Sequence, residues 1–254
     1  MSKMSLNEIP GSAPAPATPT QPVESPAATT GGAVPDMSLA RQNTLNTGFV
    51  GEVTSKDLTM PRVNLVHRTS QGELAAFTPG SLVLDKSFLL ANLGETLNFV
   101  VLSAKKMYQQ DTAYGDDMGD VVDTVAEVVA RGGSIVYGSP NFWYERVDLL
   151  MAIQKPDSLD NEALFPYEAG FTSPFIKDPM ALAVITLSKS AFTSMAKPII
   201  TAAVSTLRNK LHCGVWTVKT RMKVGAKGTW PVPEARLIGI LPDEDGAKLQ
   251  SLLG

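Results

Sequence analysis

The sequence predicts a mainly β, α+β domain, and three observations carry that expectation. Several stretches alternate apolar and polar residues with the two-residue period of a half-buried strand, most clearly GVWTVKTRMKVGAKGTW at 214–230. A single stretch, KSAFTSMAKPIITAAVSTLRNKL at 189–211, switches to helical spacing and puts Phe192, Met195, Ile199, Ala203, Leu207 and Leu211 on one face. The 254 residues are 44% hydrophobic, enough for one sizeable core or two small ones.

The N-terminal 1–36 differ from the rest. PGSAPAPATPTQPVESPAATTGGAVP lacks aromatics and nearly lacks charge. Such a segment buries too little apolar surface to offset its ordering entropy, so a disordered Pro/Ala-rich tail is expected. Residues 37–57 read as a transition, 58–241 as the folded domain and 242–254 as an acidic C-terminal segment.

The elements follow in order. In 58–70, Val63 and Leu65 alternate with Asn64 and Val66, and FTPGSLVLDK adds a Pro79-Gly80 turn before Ser81–Leu84. ETLNFVVLSAKKMYQ (95–109) is rich in strand formers and ends in Lys105, Lys106 and Tyr108. VVDTVAEVVARGG (121–133) reads as a short helix or strand closed by two glycines. In 145–156, Val147, Leu149, Met151 and Ile153 form the apolar face of a strand. Residues 157–179 read as a surface excursion, and MALAVITL (180–187) as a buried strand. In the helix that follows, Ser188 or Ser190 supplies a cap, and Pro198 either kinks it or opens its main segment. Gly214 is expected to end it. Pro231 and Pro233 lack ladder donors, which puts the last strand, through EARLIGIL, at a sheet edge. PDEDGAKLQSLLG reads as a terminal helix with Asp243 and Asp245 favourable at its start. Strands, one amphipathic helix and then a hairpin match the OB fold, a five-stranded Greek-key barrel with its helix between strands three and four. The expected architecture is an OB-like barrel with that helix before the last hairpin.

The net charge of −3 hides two opposed blocks. From Ser188 to Thr229 stand eight basic residues, Lys189, Lys197, Arg208, Lys210, Lys219, Arg221, Lys223 and Lys227, and no acid. Between Asp111 and Asp178 thirteen acids face Arg131, Arg146, Lys155 and Lys177. Lys219, Arg221 and Lys223 fall on one strand face, and Trp216 shares the other with Val218 and Met222. Such a basic face is either solvated, paired with the acidic block, or set against a phosphate backbone. Single-strand binders combine a basic groove with rings on which bases stack. Phe142, Trp143 and Tyr144 adjoin Arg146, and alternation leaves at least one of them outside any single core. Tyr108 follows Lys105 and Lys106, and Trp230 follows Lys227.

Catalytic signatures are lacking. His67 and His212 are far apart, and His212 beside Cys213 is not a metal-ligand spacing. GxxxxGK[ST], GxGxxG and GxSxG are absent. Asp111, Asp116, Asp117 and Asp120 offer oxygen ligands for Mg²⁺ or Ca²⁺, without the terminal Glu of an EF-hand. Neither a metal nor another cofactor is predicted, and no enzymatic activity. One cysteine permits no intramolecular disulfide, and neither a secretory signal nor an apolar membrane span is read, so a cytoplasmic protein is expected.

TMPRVNLVHRTS with FTPGSLVLDK resembles the opening of a group of phage-encoded proteins. LSKSAFTSMAK and the Trp-containing basic strand with its GTW turn look similar too. The resemblance spans about residues 58–240 and implies an OB-fold single-stranded DNA-binding protein of phage DNA metabolism, with Lys219, Arg221 and Lys223 lining the groove. The C-terminal DED departs from the acidic tails of such proteins, since LQSLLG follows it.

The sequence thus predicts a non-enzymatic, sequence-tolerant single-stranded DNA-binding protein of phage DNA replication or recombination, in the host cytoplasm. Its nucleic-acid-binding residues would be Lys219, Arg221, Lys223, Lys227, Trp230, Lys105, Lys106, Tyr108, Trp143, Tyr144 and Arg146. The expected partners are single-stranded DNA and replication or recombination proteins. A homo-oligomer is compatible with this reading, and a membrane partner is not expected. The competing expectation is a phage structural or assembly protein. A metal-dependent nuclease using the acidic loop ranks third.

Overall fold

Strand-forming runs of Val, Ile and Leu dominate the chain, and they assemble into one sheet. The computed structural model describes residues 60–112, 118–171, 173–226 and 228–252. The tail, the transition, Asp116, Asp117 and Lys227 lie outside the described residues. The strands are β1 (Arg62–Leu65), β2 (Leu82–Leu84), β3 (Phe88–Ala91), β4 (Thr96–Gln110), β5 (Val121–Val122), β6 (Trp143–Gln154), β7 (Met180–Ser188), β8 (Gly214–Gly225) and β9 (Gly228–Ile240). Their order is β3-β2-β1-β7-β6-β4-β8-β9, with β5 on the far half of β4. The sheet curls into an open half-barrel and is antiparallel except where β1 runs parallel to β7.

The helix expected at 189–211 exists, with two differences. It runs 17 residues as three continuous segments, Lys189–Ala191, a π turn at Phe192–Ala196, and Lys197–Ser205. The π turn precedes Pro198, which has no N–H to give to the preceding turn, and the Lys197 N–H bonds to Phe192 O instead. The helix ends at Ser205 and not at Gly214, because Arg208 (φ 49°) and Asn209 (φ 65°) turn the chain through left-handed backbone. A single 3₁₀ turn, Leu211–Cys213, then leads into β8. The stretch 121–133 contains both expected forms: β5, then a helix Val125–Ala130 opened by a capping box between Thr124 and Glu127.

Alternation decides the core. Leu97, Phe99 and Val101 of β4, Val147 through Ile153 at alternate positions of β6, and Trp216 and Val218 of β8 face inward. Phe192, Met195 and Ile199 of the long helix pack against them. A bulge between Val101 and Ser103 shifts the inward set of β4 by one residue. Beyond it Lys106 pairs with Val147 and Tyr108 with Glu145, so Lys106 and Tyr108 share the inward side while Lys105 faces out.

The opposite face of the sheet is also covered. Val100, Leu150, Leu182 and Val215 pack beneath Ile176, Leu241 and the C-terminal helix Asp243–Ser251, whose Leu249 is fully buried. The 157–179 connection is therefore more than a surface excursion. Phe165 and Ile176 are core residues, Tyr167 bridges to Met180, and the Asp178 carboxylate accepts from the Ala169 and Gly170 N–H groups at 3.0 and 2.7 Å. No helix among the described residues is long and apolar enough to cross a membrane.

Candidate nucleic-acid interface

The β8–β9 hairpin carries the predicted basic face. β4 pairs with β8 only from Val215 to Lys219, and beyond it β8 and β9 pair only with each other as a two-stranded arm whose base is packed, with Thr220, Pro231, Val232 and Pro233 buried. Lys219, Arg221 and Lys223 are exposed, while on the other face Trp216, Val218 and Thr220 are buried and Met222 is half-buried. Thr220 Oγ1 donates to Gly80 O at 2.6 Å, which ties the root of the arm to the β1–β2 turn. The face is not purely cationic. β9 places Glu234 directly opposite Lys219, and its carboxylate forms an ion pair with Arg221. Trp230 lies opposite Lys223, half-buried, and its Nε1 donates to Ser190 Oγ at 3.3 Å. This bond joins the arm to the start of the long helix, where Ser194 Oγ also lies 2.7 Å from Pro233 O.

The remaining predicted residues gather where β4 ends and β6 begins, and each cation there has an acidic partner. Lys105 pairs with Asp123 at 3.0 Å and Lys106 with Glu145 at 2.6 Å. Arg146 forks onto Asp148, with both nitrogens at 3.2 Å, and Thr186 donates to the same carboxylate at 2.8 Å. Glu145 holds the Lys106 ammonium above the usual lysine range through their hydrogen bond. Lys106 Nζ also sits 5.4 Å from the Tyr108 ring centre and 5.9 Å from that of Phe192. Lys189, which the sequence left without a role, bridges Asp111 Oδ1 at 2.8 Å and the Tyr144 ring at 4.6 Å. Burial raises the Tyr144 phenol above its usual value.

Two of the expected stacking rings are packed away. Trp143 is 1% exposed and Tyr108 is 9% exposed, and both form a small core with Val122 and Val128 under the helix Val125–Ala130. Their faces are occupied by protein, a packing role in place of the expected stacking one. Tyr144 and Trp230 stay half-buried.

The aromatic that the sequence reading missed is Tyr137. It is 86% exposed on the loop 134–142, beside Ile135 and Val136, with its ring edge-on to Phe142 at 5.6 Å. The loop is built by backbone bonds from Ser134 N to Asn141 O (3.1 Å) and Trp143 N to Ser134 O (2.8 Å). Gly138 (φ 83°) turns its tip. Its sequence signal was three apolar residues, Ile135 to Tyr137, stranded between Gly133 and Gly138 with no room for a strand. Behind the loop a recess of about 310 Å³ opens at the edge of β6, lined by Phe142, Tyr144, Glu145, Lys189 and Phe192 among others.

In the acidic loop 111–120, the described Asp111 is paired with Lys189 and Asp120 with Arg131 at 2.6 Å. Among the described residues no group of three or more His, Cys, Asp or Glu stands close enough to hold a metal ion. No family model matches this chain, and no curated protein or solved structure matches it either.

Proposed function

We propose that this protein binds single-stranded DNA without catalysis, through an OB-type half-barrel whose β8–β9 arm meets the phosphates. The observation that carries the reading is the strand order β7-β6-β4-β8-β9 with the long helix between β7 and β8. Taken as five strands, β4, β6, β7, β8 and β9 have four of the pairings expected of an OB barrel, with the helix between the third and fourth, while the free side of β7 pairs with β1. β7 and β9, the pair that would close such a barrel, are bridged by the helix. The exposed Lys219, Arg221 and Lys223 on the arm fit a sequence-tolerant backbone contact. Service in phage DNA replication or recombination rests on the resemblance of 59–70, 77–86 and 187–197.

Fluorescence anisotropy with labelled single- and double-stranded oligonucleotides across a salt series tests this reading. A single-strand preference that weakens steeply with salt is expected, and charge reversal of Lys219, Arg221 and Lys223 should reduce it while leaving the melting curve in place. Equal or absent binding of both forms at low salt would refute it. The self-paired cations at the β4–β6 end and the exposed Val129, Val136 and Tyr137 favour a second reading, a particle or assembly subunit. Large DNA-independent assemblies in sedimentation would support that one.

A further inference from the structure

We infer that the loop 134–142 is a base-stacking platform, with Tyr137 as the ring that takes one unpaired nucleobase and the recess behind it receiving a neighbouring base. This rests on the single-strand reading above and gives its missing half, the contact to bases.

Three observations converge on the loop. The Tyr137 ring is the most exposed large apolar group among the described residues, yet it is oriented by edge-to-face contact with Phe142. A side chain fixed before binding loses little further freedom when a base settles on it. The loop is anchored at both ends by the Ser134–Asn141 and Ser134–Trp143 backbone bonds, and Trp143 beneath it is buried. Two further rings, Phe142 and Tyr144, line the 310 Å³ recess, which lies at the small end of ligand-sized sites.

Charge separates this place from the arm. Around the recess, Lys106, Lys189, Arg131 and Arg146 are paired with Glu145, Asp111, Asp120 and Asp148. A phosphate approaching there meets neutralised cations and nearby carboxylates, whereas a base meets ring faces and, at Glu145, a hydrogen-bond acceptor. On the arm, Lys219 and Lys223 are exposed and Glu234 is the sole acid facing them from β9. The molecule therefore divides the strand's chemistry, phosphates to the arm and bases to the loop. Trp230, bonded to Ser190 beside Lys189, lies on the path between the two.

The test compares wild type, Tyr137→Ala, Tyr137→Trp and the arm variant Lys223→Gln, each titrated with a single-stranded oligonucleotide and with an abasic strand of equal length, over 50–200 mM salt. Stacking contributions measured by alanine substitution predict that Tyr137→Ala weakens binding to the base-bearing strand about 5- to 160-fold. Its salt slope should stay that of the wild type, Tyr137→Trp should restore affinity, and the abasic strand should bind wild type and Tyr137→Ala alike. Lys223→Gln should instead lower the salt slope by about 0.7. Because Tyr137 is exposed, an unchanged melting temperature is expected and checks the fold. The inference is overturned if wild type binds the strand and Tyr137→Ala binds it equally, or if the loss persists on the abasic strand. It is also overturned if Tyr137→Ala changes only the sedimentation coefficient, which marks the loop as a subunit contact. Absence of any single-strand binding by wild type removes the functional reading itself, a result distinct from these.

Discussion

Replacing Glu234 by Gln tests whether the arm faces phosphates. Glu234 is the acid that β9 sets among Lys219, Arg221 and Lys223, opposite the first and paired with the second. In the wild type three cations stand against one acid, and Arg221 must exchange its carboxylate partner for a phosphate in order to bind. Glu234→Gln keeps the side-chain shape and frees Arg221. One further phosphate neutralised steepens the dependence of log K on log salt by about 0.7 for a single strand, roughly a 2.5-fold greater loss of affinity between 50 and 200 mM. At low salt the variant should bind tighter than wild type. The fold should barely register the change. The Arg221 and Glu234 side chains are 61% and 40% exposed, and exposed pairs contribute less than about 1 kcal/mol. Anisotropy titrations at four or five salt concentrations, with a thermal melt as control, measure both effects. A slope equal to that of wild type, or weaker binding at low salt, refutes a phosphate-facing arm. Removing an acid beside a binding surface has no other simple reason to leave affinity unimproved.

Two predictions concern the fold. Gly133→Ala should destabilise, because its Cβ would stand 2.3 Å from Trp143 Nε1 and 2.9 Å from Val128 Cγ1 in a closed small core. Overpacking of about 1–3 kcal/mol lowers Tm by roughly 2–12 °C for a domain of this size, and a Tm within 1 °C of wild type would contradict the close approach. Asp243 is held below its ordinary 3.8 by a hydrogen bond from Lys210. A carboxylate with a depressed folded pKa stabilises fully above its unfolded value and loses that contribution as pH falls through the folded one. Asp243→Asn should therefore lower Tm at neutral pH and converge with wild type in acid, below about pH 3.8. A difference that is constant across the whole pH range would refute the pairing.

The long elements were legible because periodicity survives in them. β4, β6, β7 and β8 carry alternation or apolar runs over most of their length, and the Phe192, Met195, Ile199 spacing announces the helix. What the sequence hid were relations between distant segments. Strand alternation puts the neighbours Lys105 and Lys106 on opposite sides, and the bulge at Val101–Ser103 decides that Lys106 is the one facing inward, so they never formed a single patch. Charge partners were equally invisible. Lys189 and Asp111 are 78 positions apart, and only the pairing of β6 with both β4 and β7 brings them together. Trp143 looked available because three aromatics stood in a row, and its burial depends on a helix that starts 18 residues earlier. β3 and the parallel β1–β7 contact left no signal strong enough to read, being short.

The two prolines of β9 have a consequence for the company the sheet keeps. Pro231 and Pro233 pair with Met222 and Thr220, two residues apart and thus in the same class of ladder position. On an outermost strand that class is the one whose N–H would point away from β8, toward whatever lies alongside. The strand therefore offers carbonyls without the matching donors over this span, and one of those carbonyls, Pro233 O, lies against Ser194. A second chain cannot zip onto that margin as a further strand. Edge-to-edge growth of the sheet is disfavoured along the Pro231–Pro233 span of β9.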